Sequence, residues 1–397
     1  MRRLPAFSFL VFLWMFMGTA PAHAGFSSAD LEGHWRGGWM ETTGTDSVRY
    51  WLNVHADVGS DGSVTGGSWW SSGGLSGSVT GGDLSIEPDG YIDGTMTFDD
   101  SDTGDVFSVS IEEGQMDESG GIVYLAFRKP DPGGERAAGT MVKREPNADH
   151  AQAELAGSWQ VIILETDPSE SYDTYWIDTT LTVDASGQTS GTWNYEDILS
   201  GDILSSSQVN LESKGGLGGV LNIDNGVQVP ISYGQLDPDL NFGYVTSTKS
   251  DGHFCAALFL RTGGSGFATE MLAGEWSIVH TLVQDGSSLT WVFGQVMLDG
   301  DGNVLRGLWD GPNGESGTYT AGSLSVNDAG KLTGSITDSE GRVHAISNGH
   351  LGLTGSYGAA ATRYADGGNH DHTLGVLFMA RPARIAGTIP STFLLLQ

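Results

Sequence analysis

The sequence predicts an all-β protein built from three tandem, small antiparallel up-and-down β-barrels of about eight strands each. The first observation behind this is a tripled opening motif. Leu31-Glu32-Gly33-His34-Trp35 is answered by Leu155-Ala156-Gly157-Ser158-Trp159 and Leu272-Ala273-Gly274-Glu275-Trp276, with the tryptophans 124 and then 117 residues apart. The second is that the register persists. Trp51, Trp176 and Trp291 are each followed seven residues later by Val58, Val183 or Leu298 and then a turn. Gly67-Ser68-Trp69, Gly191-Thr192-Trp193 or Gly307-Leu308-Trp309 comes next, so nine of the twelve tryptophans hold tripled positions; self-similarity of this kind marks a repeated architecture. The third is a period-two alternation without any sustained helical stripe. Leu52, Val54, Ala56 and Val58 alternate with Trp51, Asn53, His55 and Asp57, as on a strand with one face turned inward.

Residues 1–24 have the build of a secretory signal: Arg2 and Arg3 precede the apolar run Phe7 to Met17, and Ala22-His23-Ala24 is a small-residue cleavage site. Cleavage is expected after Ala24, which makes the mature protein secreted or periplasmic. The first barrel is expected over 25–146, the second over 153–263 and the third over 270–384, with a C-terminal tail over 385–397 outside the repeat. Glu145 to Ala153 and Thr262 to Thr269 are polar or Gly/Ser-rich and have linker character. In the middle copy strands are expected near Trp159–Leu164, Tyr175–Val183, Thr189–Tyr195, Gly201–Leu204, Gln208–Leu211, Gly218–Ile223, Gln228–Leu236, Phe242–Thr248 and His253–Arg261. Taking Gly201–Leu211 as one bent strand gives eight, and closing the sheet removes edges that would template aggregation.

Composition narrows the partners. The chain has 18 Lys+Arg against 49 Asp+Glu, a net charge of −31, and loss of Arg2 and Arg3 takes the mature chain to −33. With no basic cluster to meet phosphates, nucleic acid is not an expected partner. No later apolar run reaches the roughly 20 residues of a spanning helix, so membrane insertion is not expected either. Cys255 is the only cysteine, which rules out intramolecular disulfide support and leaves the fold to its hydrophobic cores. The 60 glycines fall between β-type runs as turn punctuation.

A Gly-x-Trp on the first strand and an Arg ending the last one resemble the calycin barrels, the lipocalins and avidin-like proteins. The matching residues are Gly33, Trp35 and Arg144, then Gly157, Trp159 and Arg261, then Gly274, Trp276 and Arg381, the arginines lying 109, 102 and 105 residues after the tryptophans. The resemblance implies that each indole plugs a barrel floor and that the guanidinium packs across it, a contact worth about 0.5–2 kcal/mol. The lipocalin Thr-Asp-Tyr loop element is not evident.

Trp51, Trp69, Trp176, Trp193, Trp291 and Trp309 are the candidates for lining a ligand cavity, with core filling as the alternative. Asn369-His370-Asp371-His372 is the densest set of potential metal ligands, His370 and His372 being weak candidates against an exposed polar hairpin. Asp299-Gly300-Asp301-Gly302-Asn303 resembles the start of a calcium loop, but Val304 stands where that loop needs glycine, which favours a hairpin turn. Cys255 lies in the apolar run Phe254 to Leu260, as a buried inert thiol would. No catalytic elbow, Walker loop or dinucleotide fingerprint occurs, and no cofactor is expected. The expected function is that of a non-enzymatic exported binding protein holding a small apolar ligand. The alternative is a structural or adhesive module that meets a surface or extracellular protein partner.

Overall fold

The structure is a computed structural model that describes residues 25–42, 49–129, 136–167, 174–195, 199–284, 288–311, 314–365 and 373–381 of the 397-residue chain. Residues 1–24, where a signal is expected, His370, His372 and residues 385–397 lie outside the described residues.

Three barrels follow one another. The first is a closed barrel of β1 (Gly33–Thr42), β2 (Arg49–Val58), β3 (Val64–Ser71), β4 (Ser76–Ile86), β5 (Ile92–Asp100), β6 (Val106–Met116), β7 (Ile122–Arg128) and β8 (Arg136–Arg144). The second has β9 (Gly157–Thr166), β10 (Thr174–Val183), β11 (Thr189–Tyr195), β12 (Leu199–Ile203), β13 (Gln208–Leu211), β14 (Gly216–Asn222), β15 (Gln228–Leu236), β16 (Phe242–Thr248) and β17 (Phe254–Thr262). The third is again closed, from β18 (Gly274–Gln284), β19 (Ser288–Leu298), β20 (Val304–Asp310) and β21 (Ser316–Val326) to β22 (Lys331–Asp338), β23 (Val343–Leu351), β24 (Tyr357–Ala365) and β25 (Thr373–Ala380). Every pairing is antiparallel between chain neighbours, with the first strand meeting the last, as β1 meets β8.

The middle barrel differs at one strand. β4 and β21 are continuous strands of 11 residues, whereas their counterpart is broken into β12 and β13 by a turn at 204–207 that Ser207 N closes onto Leu204 O. A bridge from Ile203 to Ile223 and the Leu204 N to Asn222 O bond of 2.8 Å stitch the end of β12 to β14. The nine-stranded sheet thus curls until its two edge strands are consecutive in the chain.

Each interior is mainly apolar, because the alternation along every strand turns one face inward. Trp35, Leu52, Val54 and Ala56 belong to the first core, Trp159, Val161 and Ile163 to the second, and Trp276, Ile278 and Val296 to the third. The outer faces are apolar as well where barrels touch. Tyr124, Ala138, Ile162, Trp176, Phe242, Tyr244, Val279, Trp291, Phe293 and Tyr357, drawn from all three barrels, form one further buried cluster. Met40, Trp51 and Leu164 form another between the first two barrels. The packing is cyclic: β2 lies on β16 and β17, β10 on β24 and β25, and β19 on β8. The second strand of each barrel therefore leans on the closing strands of the next, and the third returns to the first, a pseudo-threefold ring within one chain.

This corrects an expectation from sequence. Trp51, Trp176 and Trp291 do not line barrel interiors; they are the outward residues of β2, β10 and β19 and fill the seams. Trp51 Nε1 donates to Thr248 Oγ1 at 3.1 Å, and Trp176 lies 5.8 Å beneath the Arg363 guanidinium. The physical reason is parity. Leu52 and Val54 point in, so Trp51 points out.

Calling the end where the first strand starts the floor and the opposite end the mouth, floors meet floors. Arg36 Nη1 donates to Gln235 Oε1 at 3.1 Å, Ser277 Oγ to Gln115 Oε1 at 3.1 Å, and Phe242 meets Tyr357 with ring centroids 5.5 Å apart. The Trp51 and Trp176 contacts join mouth ends. All three mouths accordingly open on one face of the molecule.

Close approach at the seam depends on Gly38, where an added Cβ would lie 2.5 Å from Tyr244 Cδ2 and 2.7 Å from Thr246 Cγ2. Gly38→Val is expected to cost about 1–3 kcal/mol by overpacking, measured by denaturant unfolding. Burial, with Asp310 of the third barrel and Glu112 nearby, pushes Glu113 up to about 7, the Tyr91 hydrogen bond opposing. A carboxyl whose folded value exceeds its unfolded one binds its proton more tightly in the native state, so its contribution to stability is lost as pH rises from about 4.5 to 7. Glu113→Gln is expected to raise the melting temperature at pH 8 but not at pH 4.5, read from melts at both.

Candidate functional site

The floors are built alike. A one-turn 3-10 helix (Ser28–Leu31, Gln152–Leu155 or Thr269–Leu272) precedes each first strand. The indole Nε1 of Trp35, Trp159 or Trp276 reaches back to the carbonyl of Leu31, Leu155 or Leu272 at 2.8, 3.0 and 2.8 Å. That carbonyl satisfies an indole N–H which would otherwise be buried without a partner. A cation then covers the ring. The guanidinium of Arg261 stands 5.2 Å from Trp159 and that of Arg381 4.7 Å from Trp276. Arg261 also donates to the carbonyls of Glu154 and Ala156, both at 2.6 Å.

In the first barrel the covering residue is Lys143, not Arg144. Its Nζ lies 5.7 Å from the Trp35 ring and donates to Asp30 O at 3.0 Å. Register explains the correction: Trp35 pairs across β1 and β8 with Lys143, as Trp159 pairs with Arg261, and a residue one place along faces outward. Arg144 instead pairs with His34 on the outer face, where burial first, and then Arg36 and Arg144, push His55 down to about 4. Lys143→Met should therefore cost about 0.5–2 kcal/mol and Arg144→Met much less, a difference that paired denaturation curves will show.

Trp69, Trp193 and Trp309 do face the interiors, near the mouths. Each pairs across its hairpin with a glycine eight residues on, Gly77, Gly201 or Gly317. A Cβ there would come within 2.7 Å of the indole in all three copies, so the ring lies flat over bare backbone.

Around Trp69 this produces a cup of about 570 Å³, walled by Leu52, Trp69, Leu75, Val106 and Phe107 and edged by Glu41, Asp100, Asp105 and Lys129. Trp69 is edge-on to Phe98 and Phe107, at 6.4 and 5.9 Å, and those two rings stack at 5.3 Å. Lys129 Nζ lies 4.6 Å above the Phe107 ring. Two apolar residues at the opening are exposed to solvent, Val106 65% and Leu75 44%. Below it the barrel is nearly full. A void of about 20 Å³ lies beside Trp39 and Phe127 and another of about 20 Å³ above Trp35.

The other mouths carry different chemistry. Trp193 Nε1 donates to Asp224 Oδ1 at 3.0 Å beside an open trough of about 560 Å³. Trp309 lies 4.6 Å beneath the Arg342 guanidinium. Four residues after the floor indole the first barrel has Trp39, the second Ile163 and the third His280. His280 is buried against Thr362 and meets His344 with ring centroids 5.3 Å apart; burial, then His344, hold its pKa well below the ordinary value. Against its burial, hydrogen bonds from His344 and Arg342 hold Asp338 at about 2.

Several of these residues escaped the sequence reading. Glu41 and Glu165 each follow a floor tryptophan by six, and Lys129 and Lys249 directly follow β7 and β16. The repeated string Met40-Glu41-Thr42 and Leu164-Glu165-Thr166 was the available signal. The Asp299 segment is the β19–β20 turn, Asp299 Oδ1 accepting from Asp301 N and Asn303 N at 2.9 and 2.8 Å. Cys255 is buried and free, and burial pushes its thiol well up.

Together these features define the chain as a protein of three tandem antiparallel β-barrels, with no described helix long and apolar enough to cross a membrane. No protein-family model and no curated sequence matches it. Among solved structures, it is similar to a transferrin binding protein B from Haemophilus parasuis at 11% identity, over 89% of this chain and 76% of that one, with a TM-score of 0.29. A protein of unknown function from the DUF3598 family of Nostoc punctiforme aligns at 11% identity over 58% of this chain and 99% of its own, with a TM-score of 0.23. A putative outer membrane protein from Bacteroides fragilis aligns at 13% identity over 58% and 100%, with a TM-score of 0.19.

Proposed function

We propose that this chain is an exported, non-enzymatic binding protein whose calycin-like first barrel holds a small ligand with a flat apolar body at its mouth. The observation that carries the reading is the aromatic-walled cup of about 570 Å³, a size within the usual range for small-molecule sites. A ligand ring lies against Trp69 and Phe107 while Leu75 and Val106 cover its edge. Asp105 and Lys129 fix its polar end. The filled interior below makes this a mouth site rather than a deep one.

Denaturing the purified protein and analysing what it releases by mass spectrometry should recover a bound small molecule. With 1-anilinonaphthalene-8-sulfonate as the probe, Val106→Asp and Trp69→Phe should weaken binding by about 10-fold or more, as expected of residues at the centre of an apolar contact. Equal probe affinity in wild type and both variants would remove the cup from consideration.

A second reading, a surface or adhesive module, draws on the shared orientation of the mouths, because one extended partner can meet all three with raised effective concentration. Protease accessibility on intact cells separates that reading from a periplasmic carrier.

A further inference from the structure

At the mouth of the second barrel, Glu165 continues the inward register of Trp159, Val161 and Ile163, and its side chain is only 2% exposed. Its Oε1 meets Lys249 Nζ at 2.6 Å and also contacts His253 Nδ1. Lys249 and His253 both lie on the β16–β17 hairpin, which Lys249 N closes onto His253 O at 2.8 Å. The same turn supplies Asp251, whose Oδ2 is 3.2 Å from Lys249 Nζ. Asp167 Oδ2 stands 3.3 Å from His253 Nε2. One ligand atom each from Glu165, Asp251 and His253 lies within 4.8 Å of the other two.

Two features mark this group as more than a staple for the turn. Two of the carboxylates, Glu165 and Asp251, share the single Lys249 ammonium, and Glu165 does so almost fully buried. Burying unbalanced charge is costly. Independently, Glu165 Oε2 is fully buried without a hydrogen-bond partner. A buried carboxylate with one bare oxygen, standing beside two other ligand groups, is what a cation would complete.

We propose that Glu165, Asp251 and His253 form a divalent metal site at the mouth of the second barrel, with Asp167 orienting the imidazole. One imidazole nitrogen among carboxylate oxygens suits a zinc-class transition ion better than calcium, which prefers oxygen alone. Lys249 is the built-in competitor, because its ammonium lies close to two of the ligand carboxylates. The site is separate from the cup of the first barrel, so it stands whether or not that cup binds a ligand.

The test is calorimetric titration of the full chain, stripped with EDTA, against ZnCl2, MnCl2 and CaCl2. Wild type should take up one Zn²⁺ or Mn²⁺ saturably and Ca²⁺ at least about 10-fold more weakly. His253→Ala should weaken Zn²⁺ binding by about 10–100-fold, and Lys249→Met should tighten it by about 10-fold. Glu165→Gln should abolish it; since that change strands Lys249, the Glu165→Gln/Lys249→Met double variant repeats the measurement without the stranded charge. A visible spectrum of the Co²⁺ form, altered in His253→Ala, reports the imidazole directly. Identical Zn²⁺ titrations for wild type and His253→Ala, or no uptake even by Lys249→Met, would overturn the proposal.

Discussion

The seam between barrels is the constraint on which the remaining architecture rests. A lone eight-stranded barrel can afford an apolar interior and a polar exterior. Here the second, seventh and eighth strands also bury large residues on their outward faces, and Trp176, Phe242 and Tyr357 are buried outside any barrel. Large aromatic side chains contribute most when fully removed from water. The ring they form aligns the floors, and that alignment puts the mouths side by side. Where the first strands converge, only a cavity of about 60 Å³ remains, bounded by Gly38, Met40, Ile162, Leu164, Val279 and Thr281.

Within each barrel the labour is divided along the axis. The floor is conservative across the copies: an indole, the carbonyl it donates to, and a cation over the ring. One layer up, identity is lost. Trp39 packs on Phe127 at 4.5 Å in the first barrel, while His280 contacts Thr362 in the third. The floor ties the first strand to the last, and the upper layer differs from copy to copy.

Much of the fold was legible because its signals are local and repeated. Period-two alternation and turn glycines place the strands, and the middle copy came out almost residue by residue, from Thr189–Tyr195 to Phe242–Thr248. The two runs of the broken strand, Gly201–Leu204 and Gln208–Leu211, are legible as well, but joining them into one bent strand fails, because the turn at 204–207 separates β12 from β13. What escaped was whatever depends on one-residue registration or on a second barrel. Lys143 and Arg144 are adjacent, and only the pairing with Trp35 says which faces the floor. Trp51 is only a candidate for a cavity or a core from sequence, although its alternation with Leu52 puts it outside, because nothing in a single copy announces a neighbour against which an outward indole could be buried. Glu165 and His253 are 88 residues apart and meet only once β9 pairs with β17.

Because the ring is made from one polypeptide, its symmetry is not binding on its parts. A true homotrimer repeats every substitution three times, so a histidine introduced into one interior would appear in all of them. In a covalent triplet each interior is inherited independently while the shared contacts remain under common selection. That freedom lets one scaffold carry an aromatic cup, a charged cluster and an imidazole pair at the same time.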